Sequence, residues 1–303
     1  MSPIQYIDAK TIISEYRAEN EWFGANYNMN IYKGCNHGCI YCDSRSECYQ
    51  VEDFDQVRAK NNALTLIERD LKSKTKKGVV GSGAMSDPYN PFEKELCLTR
   101  GALALLHRYG FGVCLFTKSD LILRDLDLLC EISRHSPVLA AITITTSDDA
   151  LSKKLERNVS LSSERFKAIK GLSDAGLFAG VLLMPVLPFI EDTPENIRSI
   201  VRMAHDHHAR FIYATPHFGV TLRTNQREWY YNKLDLLFPG LKEQYIKTFG
   251  NEYACSSPRS KQLWSIFTQE CDRYGILYRM EDIIKTTQIG YGYEQLSLFD
   301  SSK

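Results

Sequence analysis

Six short apolar segments that alternate with helical segments are the feature that most constrains the fold of this 303-residue chain. Each is apolar at successive positions, as expected for a strand that is buried on both faces of a parallel sheet. The intervening helices have readable ends: Thr193 is expected to cap a helix that starts at Pro194, and Ser162 or Ser163 to cap one that ends at Gly176. The pattern predicts parallel β/α units in a doubly wound sheet or in a full or partial barrel. The six segments are residues 28–34, 78–83, 112–118, 139–146, 178–185 and 209–214.

The composition, with 44% hydrophobic and 24% charged residues, is typical of one large globular domain or of one domain with a smaller extension. Lysine plus arginine and aspartate plus glutamate both number 37, so the net charge indicates no class of partner. No apolar run approaches the roughly 18 residues needed to span a bilayer, and residues 1–16 lack the order of a secretion signal. We therefore expect a cytoplasmic protein with no membrane partner, in which the nine cysteines stay reduced.

Three of the cysteines, Cys35, Cys39 and Cys42, follow the first predicted strand at the spacing C-x3-C-x2-C. Functional groups of parallel β/α folds gather at the carboxyl ends of the strands, so the cluster lies at the right edge for a site. One interpretation is a zinc site with His37 or Cys48 as the fourth ligand, but structural zinc sites prefer two C-x2-C knuckles. The other is an iron–sulfur cluster with three cysteine ligands and one open iron, which the spacing and the strand position favour.

This cysteine segment, with the aromatic Tyr41 just before its last cysteine, resembles the radical S-adenosylmethionine (SAM) enzymes. Residues 81–103, 115–129, 144–166 and 182–197 resemble, in order, blocks of the spore photoproduct lyase-like branch of that superfamily. The resemblance implies an α/β fold, a partial (β/α)6 TIM-like barrel with a mostly helical C-terminal extension. It also implies a [4Fe–4S] cluster on the three cysteines, with SAM as its fourth ligand. Electrons from a donor such as flavodoxin or ferredoxin would then cleave SAM to methionine and a 5′-deoxyadenosyl radical.

The resemblance also places SAM-binding roles on individual residues. Ser86 and Lys118 stand where the lyase holds SAM, and Lys118 could face either the SAM carboxylate or a ribose oxygen. Arg165 matches a basic residue that many radical SAM enzymes direct at the SAM carboxylate. Gly81 and Gly83 would let the backbone approach the methionine moiety. Alternatives stay open, because Ser86 also suits a turn and Arg165 an exposed position in a first helical turn. The expected cofactor-binding residues are Tyr41, Gly81, Gly83, Ser86, Lys118 and Arg165.

Two positions depart from the lyase pattern. Ala84 occupies the position of the cysteine that gives the lyase product its hydrogen atom, and Asp43 replaces the second of two tyrosines beside the last cluster cysteine. Radical generation is expected to survive both changes, whereas quenching of a thymine product radical by the lyase route is not. The lyase reaction on a thymine dimer is therefore not expected. The candidate hydrogen donors are Cys97, Cys255 and Cys271, although an isolated cysteine is more often a small buried residue.

The alternation of strands and helices stops after about Thr224. We therefore expect a lead-in over residues 1–27, the barrel over residues 28–224, the extension over residues 225–290 and a tail over residues 291–303.

The tail resembles the pentapeptide with which many bacterial replication and repair proteins bind the β sliding clamp. A glutamine and apolar residues in an exposed terminal segment suit a docking peptide, and a final strand packed on the body is the alternative. The five residues are Gln295, Leu296, Ser297, Leu298 and Phe299.

These features predict a radical SAM enzyme that acts on DNA, in photoproduct-lyase-like repair or in base modification, and that the clamp delivers. One alternative is radical modification of a protein, an RNA or a small molecule. Another is a non-catalytic, clamp-associated DNA-binding module with an iron–sulfur cluster. The three-cysteine segment argues against that module, because a structural cluster would need four protein ligands.

Overall fold

The chain folds around one large sheet, seen in a computed structural model that describes residues 4–16 and 22–291. The strands of the described residues are β1 (Gln5–Ile7), β2 (Ile13–Glu15), β3 (Tyr27–Met29), β4 (Tyr32–Lys33), β5 (Arg58–Lys60), β6 (Val79–Ser82), β7 (Gly112–Thr117), β8 (Val138–Thr143), β9 (Phe178–Leu182), β10 (Phe211–Tyr213), β11 (Gly219–Thr221) and β12 (Ala254–Ser256). The large sheet has the order β10-β9-β8-β7-β6-β3-β2. Its six strands from β10 to β3 are parallel, and β2 pairs antiparallel with β3 at the edge.

Helices connect the parallel strands and form the C-terminal part. They are α1 (Ala63–Ser73), α2 (Glu93–Leu96), α3 (Leu98–Tyr109), α4 (Leu126–Ser133), α5 (Asp149–Leu155), α6 (Ser162–Asp174), α7 (Pro194–Asp206), α8 (Gln226–Leu237), α9 (Leu241–Phe249), α10 (Ser260–Tyr274) and α11 (Met280–Gln288). Within the described ranges, none of these helices has both the length and the apolar character needed to cross a membrane.

Both faces of the parallel sheet are buried, as the continuous apolar segments predict. In β7, Val113 and Leu115 pack into the core that contains the surrounding helices, while Cys114 and Phe116 point to the opposite, concave face. That concave face is filled by apolar side chains of other segments, among them Phe23 near the N-terminus. Six parallel strands with helical connections confirm the predicted partial barrel.

The ends of two helices test the capping predictions. Thr193 caps α7 as predicted, because its hydroxyl oxygen accepts a hydrogen bond from the Asn196 backbone N–H at 3.2 Å. The prediction of a serine cap on α6 is wrong, since Ser162 is already the first helical residue. The Glu164 carboxylate instead reaches back and accepts the Leu161 backbone N–H at 2.7 Å.

The first predicted strand, residues 28–34, is two strands in the structure. β3 ends at Met29 in the large sheet, whereas β4 pairs antiparallel with β5 in a separate three-stranded sheet that also contains β1. The physical reason is that Ile31 and Tyr32 turn to a different backbone partner, as the Lys60 N–H donates to the Ile31 carbonyl at 3.1 Å. The chain thus leaves the barrel just before the cysteines.

The C-terminal extension is mostly helical, as predicted. Helix α10 packs against α7 on the outside of the barrel, while α11 places Ile283 on the concave face. β12 returns to pair antiparallel with β11, and this two-stranded ribbon lies beside the carboxyl ends of the barrel strands. The predicted domain boundaries stay predictions.

Candidate active site

The three clustered cysteines lie in a loop that we call the cysteine loop, residues 34–45. It is held against the segment that follows α5 by backbone hydrogen bonds. The Ile40 N–H donates to the Leu155 carbonyl, and the Asn158 N–H donates to the His37 carbonyl, both at 3.0 Å. Contacts at both ends of this segment fix the loop at the carboxyl edge of the sheet, where parallel β/α folds place their sites.

The thiols of Cys35, Cys39 and Cys42 interact electrostatically with one another. Burial raises the pKa of the Cys39 and Cys42 thiols, and the charges of neighbouring cysteines raise it further, so the sulfurs lie within electrostatic reach. Zinc would need its ligand sulfurs all about 2.3 Å from one ion. Among the described residues, no three histidine, cysteine or acidic side chains are gathered closely enough for that. A [4Fe–4S] cluster binds each cysteine through a different iron, so it does not require the three sulfurs to share one ion.

A fully buried ion pair lies beneath the loop. The Tyr41 hydroxyl donates to one carboxylate oxygen of Glu156, and the Arg165 guanidinium donates to the other. Arg165 also donates to two backbone carbonyl oxygens at 2.8 and 2.9 Å. Burial by itself raises the pKa of the Glu156 carboxyl, but the Arg165 and Lys118 cations hold that pKa below its usual value. Arg165 is therefore placed to hold Glu156 and, through it, Tyr41; a contact with SAM stays a prediction.

A second buried carboxylate, Asp87, joins the cysteine loop to the ends of β6 and β7. Its oxygens accept the Tyr89 N–H at 2.8 Å, the Thr117 hydroxyl at 2.7 Å and the Lys118 N–H at 2.8 Å. The His37 Nδ1 lies 3.5 Å from the same carboxylate. From the sequence, Asp87 is recognisable only as a turn residue. Its other partners come from distant segments that only the fold brings to it. Its contacts fix the backbone of Lys118 relative to the loop.

Ser86 and the two glycines all lie at the end of β6. The Ser86 hydroxyl donates to the Gly34 carbonyl at 2.6 Å, so in this structure it holds the start of the cysteine loop. Gly83 has φ +108°, and a Cβ there would lie 2.0 Å from the Phe116 carbonyl oxygen, so only glycine fits. Gly81 is a buried residue of β6. Their predicted roles toward SAM remain predictions.

A cavity of 450 Å³ opens above the sheet between the cysteine loop and the β11–β12 ribbon. Its lining includes Tyr41 and Cys42 of the loop, Ala84 after β6 and Lys118 after β7. The Lys118 Nζ forms no ion pair with any described carboxylate and lies 5.8 Å from the Tyr41 ring centroid. Burial lowers the pKa of Lys118, but the Cys39 thiol and the Glu156 and Asp87 carboxylates hold it above its usual value. The cavity is thus lined by both the Lys118 cation and Cys42 of the cysteine loop, and its volume suits a small ligand.

Of the three candidate hydrogen donors, Cys255 is in the lining of this cavity, and its side chain is fully buried in a core cluster with Tyr230 and Tyr245. It is a residue of β12, and its thiol lies 3.7 Å from the Glu252 carbonyl oxygen. Cys271 is buried in the core on α10, and Cys97 precedes α3, where its sulfur contacts Arg124 at 3.7 Å. Neither lines the cavity.

Comparison with known proteins identifies the family. Residues 29–213, more than half of the chain, match the model of the radical SAM superfamily. This chain belongs to the radical SAM superfamily. Membership implies a [4Fe–4S] cluster and SAM as cofactors, and the cysteine loop and the cavity fit both.

The relatives of this radical SAM protein include two curated proteins without an assigned activity. An uncharacterized protein of Mycobacterium tuberculosis is 29% identical over 230 residues, covering 74% of this chain and 67% of its own. An uncharacterized protein of Methanocaldococcus jannaschii is 33% identical over 172 residues, which cover 56% of this chain and 63% of that protein. These matches support the family and assign no substrate.

Solved structures of spore photoproduct lyase share the fold of this radical SAM protein. The lyase complexed with a dinucleoside spore photoproduct gives a TM-score of 0.64 at 12% identity, over 89% of this chain and 79% of that one. A double mutant of the lyase with bound AdoMet (SAM) and the same dinucleoside gives a TM-score of 0.61 at 13% identity. The match covers 82% of this chain and 74% of that one. At this identity the likeness concerns the fold.

Glu191 leads to a prediction about the pH dependence of stability in this radical SAM protein. Its carboxylate is fully enclosed, accepts hydrogen bonds from Thr145 at 2.6 Å and Leu187 N–H at 2.9 Å, and burial raises its pKa to about 8. Between its ordinary pKa and about 8, the folded state keeps a proton that the unfolded state releases. The stabilisation is fully present at low pH and is lost as the pH rises through about 8.

We expect Glu191→Gln to remove this dependence. The free energy of unfolding of the wild type, minus that of the variant, should fall by roughly 1.4 kcal/mol per pH unit between about pH 5.5 and about pH 7.5. Urea denaturation across this range measures the difference. Glu195→Gln, at an exposed position of α7, is the control. If the free energies of unfolding of wild type and Glu191→Gln change in parallel with pH, Glu191 does not keep its proton in the folded state, and the prediction is contradicted.

Proposed function

We propose that this protein is a radical SAM enzyme of the photoproduct-lyase-like type that acts on DNA. The observation that carries the proposal is the cavity in which Cys42, Lys118 and Ala84 meet, because these positions correspond by resemblance to cluster binding, SAM binding and hydrogen donation.

Each role rests on a group of this chain. Cys35, Cys39 and Cys42 would hold the cluster, and Lys118 would bind the carboxylate of SAM through its ammonium group. Cluster and SAM together supply reductive cleavage of SAM to methionine and a 5′-deoxyadenosyl radical. The Tyr41 hydroxyl is held by Glu156, and Tyr41 forms part of the cavity lining beside Cys42.

Two observations support DNA as the substrate. Some of the lyase structures with this fold hold a dinucleoside spore photoproduct. In addition, a surface cavity of 1070 Å³ lies on the outer side of the 3-10 turns after the cysteine loop, next to the β11–β12 ribbon. There the Arg223 guanidinium carbon lies 5.8 Å from the Tyr49 ring centroid and 5.1 Å from that of Tyr253, an aromatic arrangement that suits stacked bases. A base in duplex DNA would have to leave the base stack to reach the 450 Å³ cavity beside Cys42 and Lys118.

The product radical needs a hydrogen source other than the lyase cysteine, since Ala84 carries no thiol. Cys255 is the cysteine we assign, because it lines the same cavity. Asp43, at the second tyrosine position, is engaged with Arg223 at 3.2 Å. The reaction is therefore expected to differ from that of the lyase in its final hydrogen transfer.

The clamp-binding prediction concerns Gln295 to Phe299, which lie outside the described residues. We keep it as a part of the proposal that rests on the sequence resemblance alone. A binding measurement between the clamp and the full chain, with Phe299→Ala as the matched variant, tests it separately from the chemistry.

One anaerobic experiment tests the enzymatic proposal. The protein is reconstituted with iron and sulfide, SAM and a strong reductant are added, and 5′-deoxyadenosine is quantified with and without UV-irradiated DNA. We expect 5′-deoxyadenosine from the wild type, a rise when damaged DNA is present, and none from Cys39→Ala. Intact DNA of the same sequence is the control for the lesion.

The outcomes separate the competing functions. Cleavage of SAM without any response to DNA would redirect the search to a protein, RNA or small-molecule substrate. Absence of 5′-deoxyadenosine from a protein with a full cluster would contradict the enzyme and favour a DNA-associated binding module.

A further inference from the structure

A second groove lies along the other side of the cysteine loop, and we call it the basic groove. It has a volume of 700 Å³ and runs between the loop, the C-terminal end of α5 and one face of α8. The loop contributes Asn36, Gly38 and Ile40, and two of these are the covalent neighbours of Cys39. Nothing in the proposed reaction uses this groove.

Four cations line the basic groove. Lys153 and Lys154 come from α5, Arg157 follows it, and Lys233 comes from α8. In residues 4–16 and 22–291, no carboxylate forms an ion pair with any of the four. The acid in the lining, Asp55, is already paired with Arg45 beside the groove. The groove therefore carries an uncompensated positive charge on a chain whose formal net charge is zero.

The wall formed by α8 adds apolar surface to this charge. Lys233 lies four residues after Trp229, and Leu236 and Leu237 lie three and four residues after Lys233, so all four border the side of the helix that lines the groove. Leu236 is 72% exposed, and the Lys233 ammonium lies 4.2 Å from the Trp229 ring centroid, so the wall offers apolar side chains beside a cation. An apolar centre with a charged border is the usual anatomy of a protein–protein contact.

The cysteine loop separates the basic groove from the 450 Å³ cavity that is lined by Cys42 and Lys118. Asn36, Gly38 and Ile40 line the groove, whereas Tyr41 and Cys42 line the cavity, and the two linings share no residue. A molecule in the groove therefore approaches the cluster-binding loop from the side opposite SAM and substrate. Such a position suits delivery of an electron and does not suit a substrate that must meet the radical.

We propose that the basic groove is the docking surface for an acidic electron-transfer protein that carries a flavin or iron–sulfur centre and reduces the cluster. This inference rests on the proposed function, since it needs the cluster on the cysteine loop. In the step, the donor's reduced centre loses one electron and is oxidised, and the cluster gains that electron and goes from the 2+ to the 1+ state. No bond is made or broken on this side of the loop.

Charge complementarity is the reason for choosing an acidic protein. Opposite charges raise the rate of encounter by about 10- to 1,000-fold and make that rate fall with salt. A nucleic acid would also be attracted by four cations. However, the exposed leucine on α8 and the separation of the groove from the cavity favour a protein that only transfers an electron.

The test compares two reductants of the same reconstituted full-length protein. Reduced flavodoxin, an acidic flavoprotein, must dock, whereas dithionite is a small ion that reaches the cluster without a docking surface. Cluster reduction is followed by stopped-flow absorbance and by the EPR signal of the reduced cluster, in wild type and in Lys153→Glu/Arg157→Glu. We expect flavodoxin to reduce this variant at least about tenfold more slowly than wild type, with an unchanged dithionite rate.

The matched control is Lys167→Glu/Arg202→Glu, which makes the same charge change at exposed positions of α6 and α7, outside the groove. It should keep the wild-type rate with both reductants. The proposal would be overturned if flavodoxin reduced the cluster of Lys153→Glu/Arg157→Glu as fast as that of wild type. A loss of DNA affinity in that variant, with the rate of reduction by flavodoxin unchanged, would overturn it as well. A wild-type protein that fails to assemble a cluster would instead overturn the proposed function, and this inference with it.

Discussion

Replacing Glu156 by alanine is expected to lower the free energy of unfolding of the cluster-free protein by about 3 to 5 kcal/mol. The Arg165 guanidinium would then lie fully buried without its counter-charge, and the Tyr41 hydroxyl would lose its acceptor. Removing one partner of a buried ion pair is this costly because the remaining charge stays in the low-dielectric interior. Denaturant titrations of wild type and variant measure the loss.

A double substitution separates the charge effect from a loss of packing. Glu156→Leu/Arg165→Met replaces the ion pair by apolar side chains of similar size and removes both charges of the pair, while the Tyr41 hydroxyl lacks its acceptor in both variants. Replacing whole buried pairs in this way is often neutral or stabilising, so the double variant should recover most of the stability that Glu156→Ala loses. A double variant as unstable as Glu156→Ala would contradict the ion-pair explanation and indicate that the shape of Glu156 matters most.

The barrel could be predicted from the sequence because its signal is local. In β7 and β8 every residue is buried, so an unbroken apolar run is a direct consequence of the environment. Thr193 and Pro194 likewise mark the start of α7 by interactions within one turn. The position of the three cysteines is predicted less well, because the segment before them divides into β3 of the large sheet and β4 of another sheet.

The polar part of the site could not be predicted in the same way. Glu156 stands in the highly charged segment "KKLERN", which is typical of an exposed helix end, and its burial depends on Arg165 and on Tyr41, 115 residues away in sequence. Asp87 has a local partner in Tyr89, but its contacts with Thr117, Lys118 and His37 come from distant segments and have no signal in its own neighbourhood. The basic groove is formed by residues from three regions of the chain that only the fold brings together.

The ribbon of β11 and β12 was also missed, for a related reason. Its strands have three residues each and are separated by 32 residues that contain two helices. Strands this short carry too little alternation to be recognised, and their pairing is decided by the long-range approach of the extension to the barrel. The ribbon closes the cavity on one side, so the sequence predicts one wall of the cavity and not the other.

Lys118→Met is expected to weaken SAM binding by about tenfold to a hundredfold while the protein still assembles its cluster. Hydrogen bonds to charged groups contribute about 1.5 to 3 kcal/mol, which corresponds to that range of dissociation constants. Methionine keeps most of the length and volume of the side chain, so the main change is the loss of the ammonium group that faces the cavity. Equilibrium binding of SAM to the anaerobic reconstituted protein measures the effect.

Two further measurements make the Lys118 result specific. Iron content and the cluster absorbance show that Lys118→Met still holds its cluster, and Lys167→Met, at an exposed position of α6, is the matched control. If Lys118 binds the SAM carboxylate, a SAM analogue with that carboxylate amidated should bind wild type and Lys118→Met equally weakly, because the ion pair is absent in both cases. Equal affinities of the two proteins for SAM itself would instead mean that Lys118 has a structural role beside Glu156 and Asp87, and that another group of the cavity binds the cofactor.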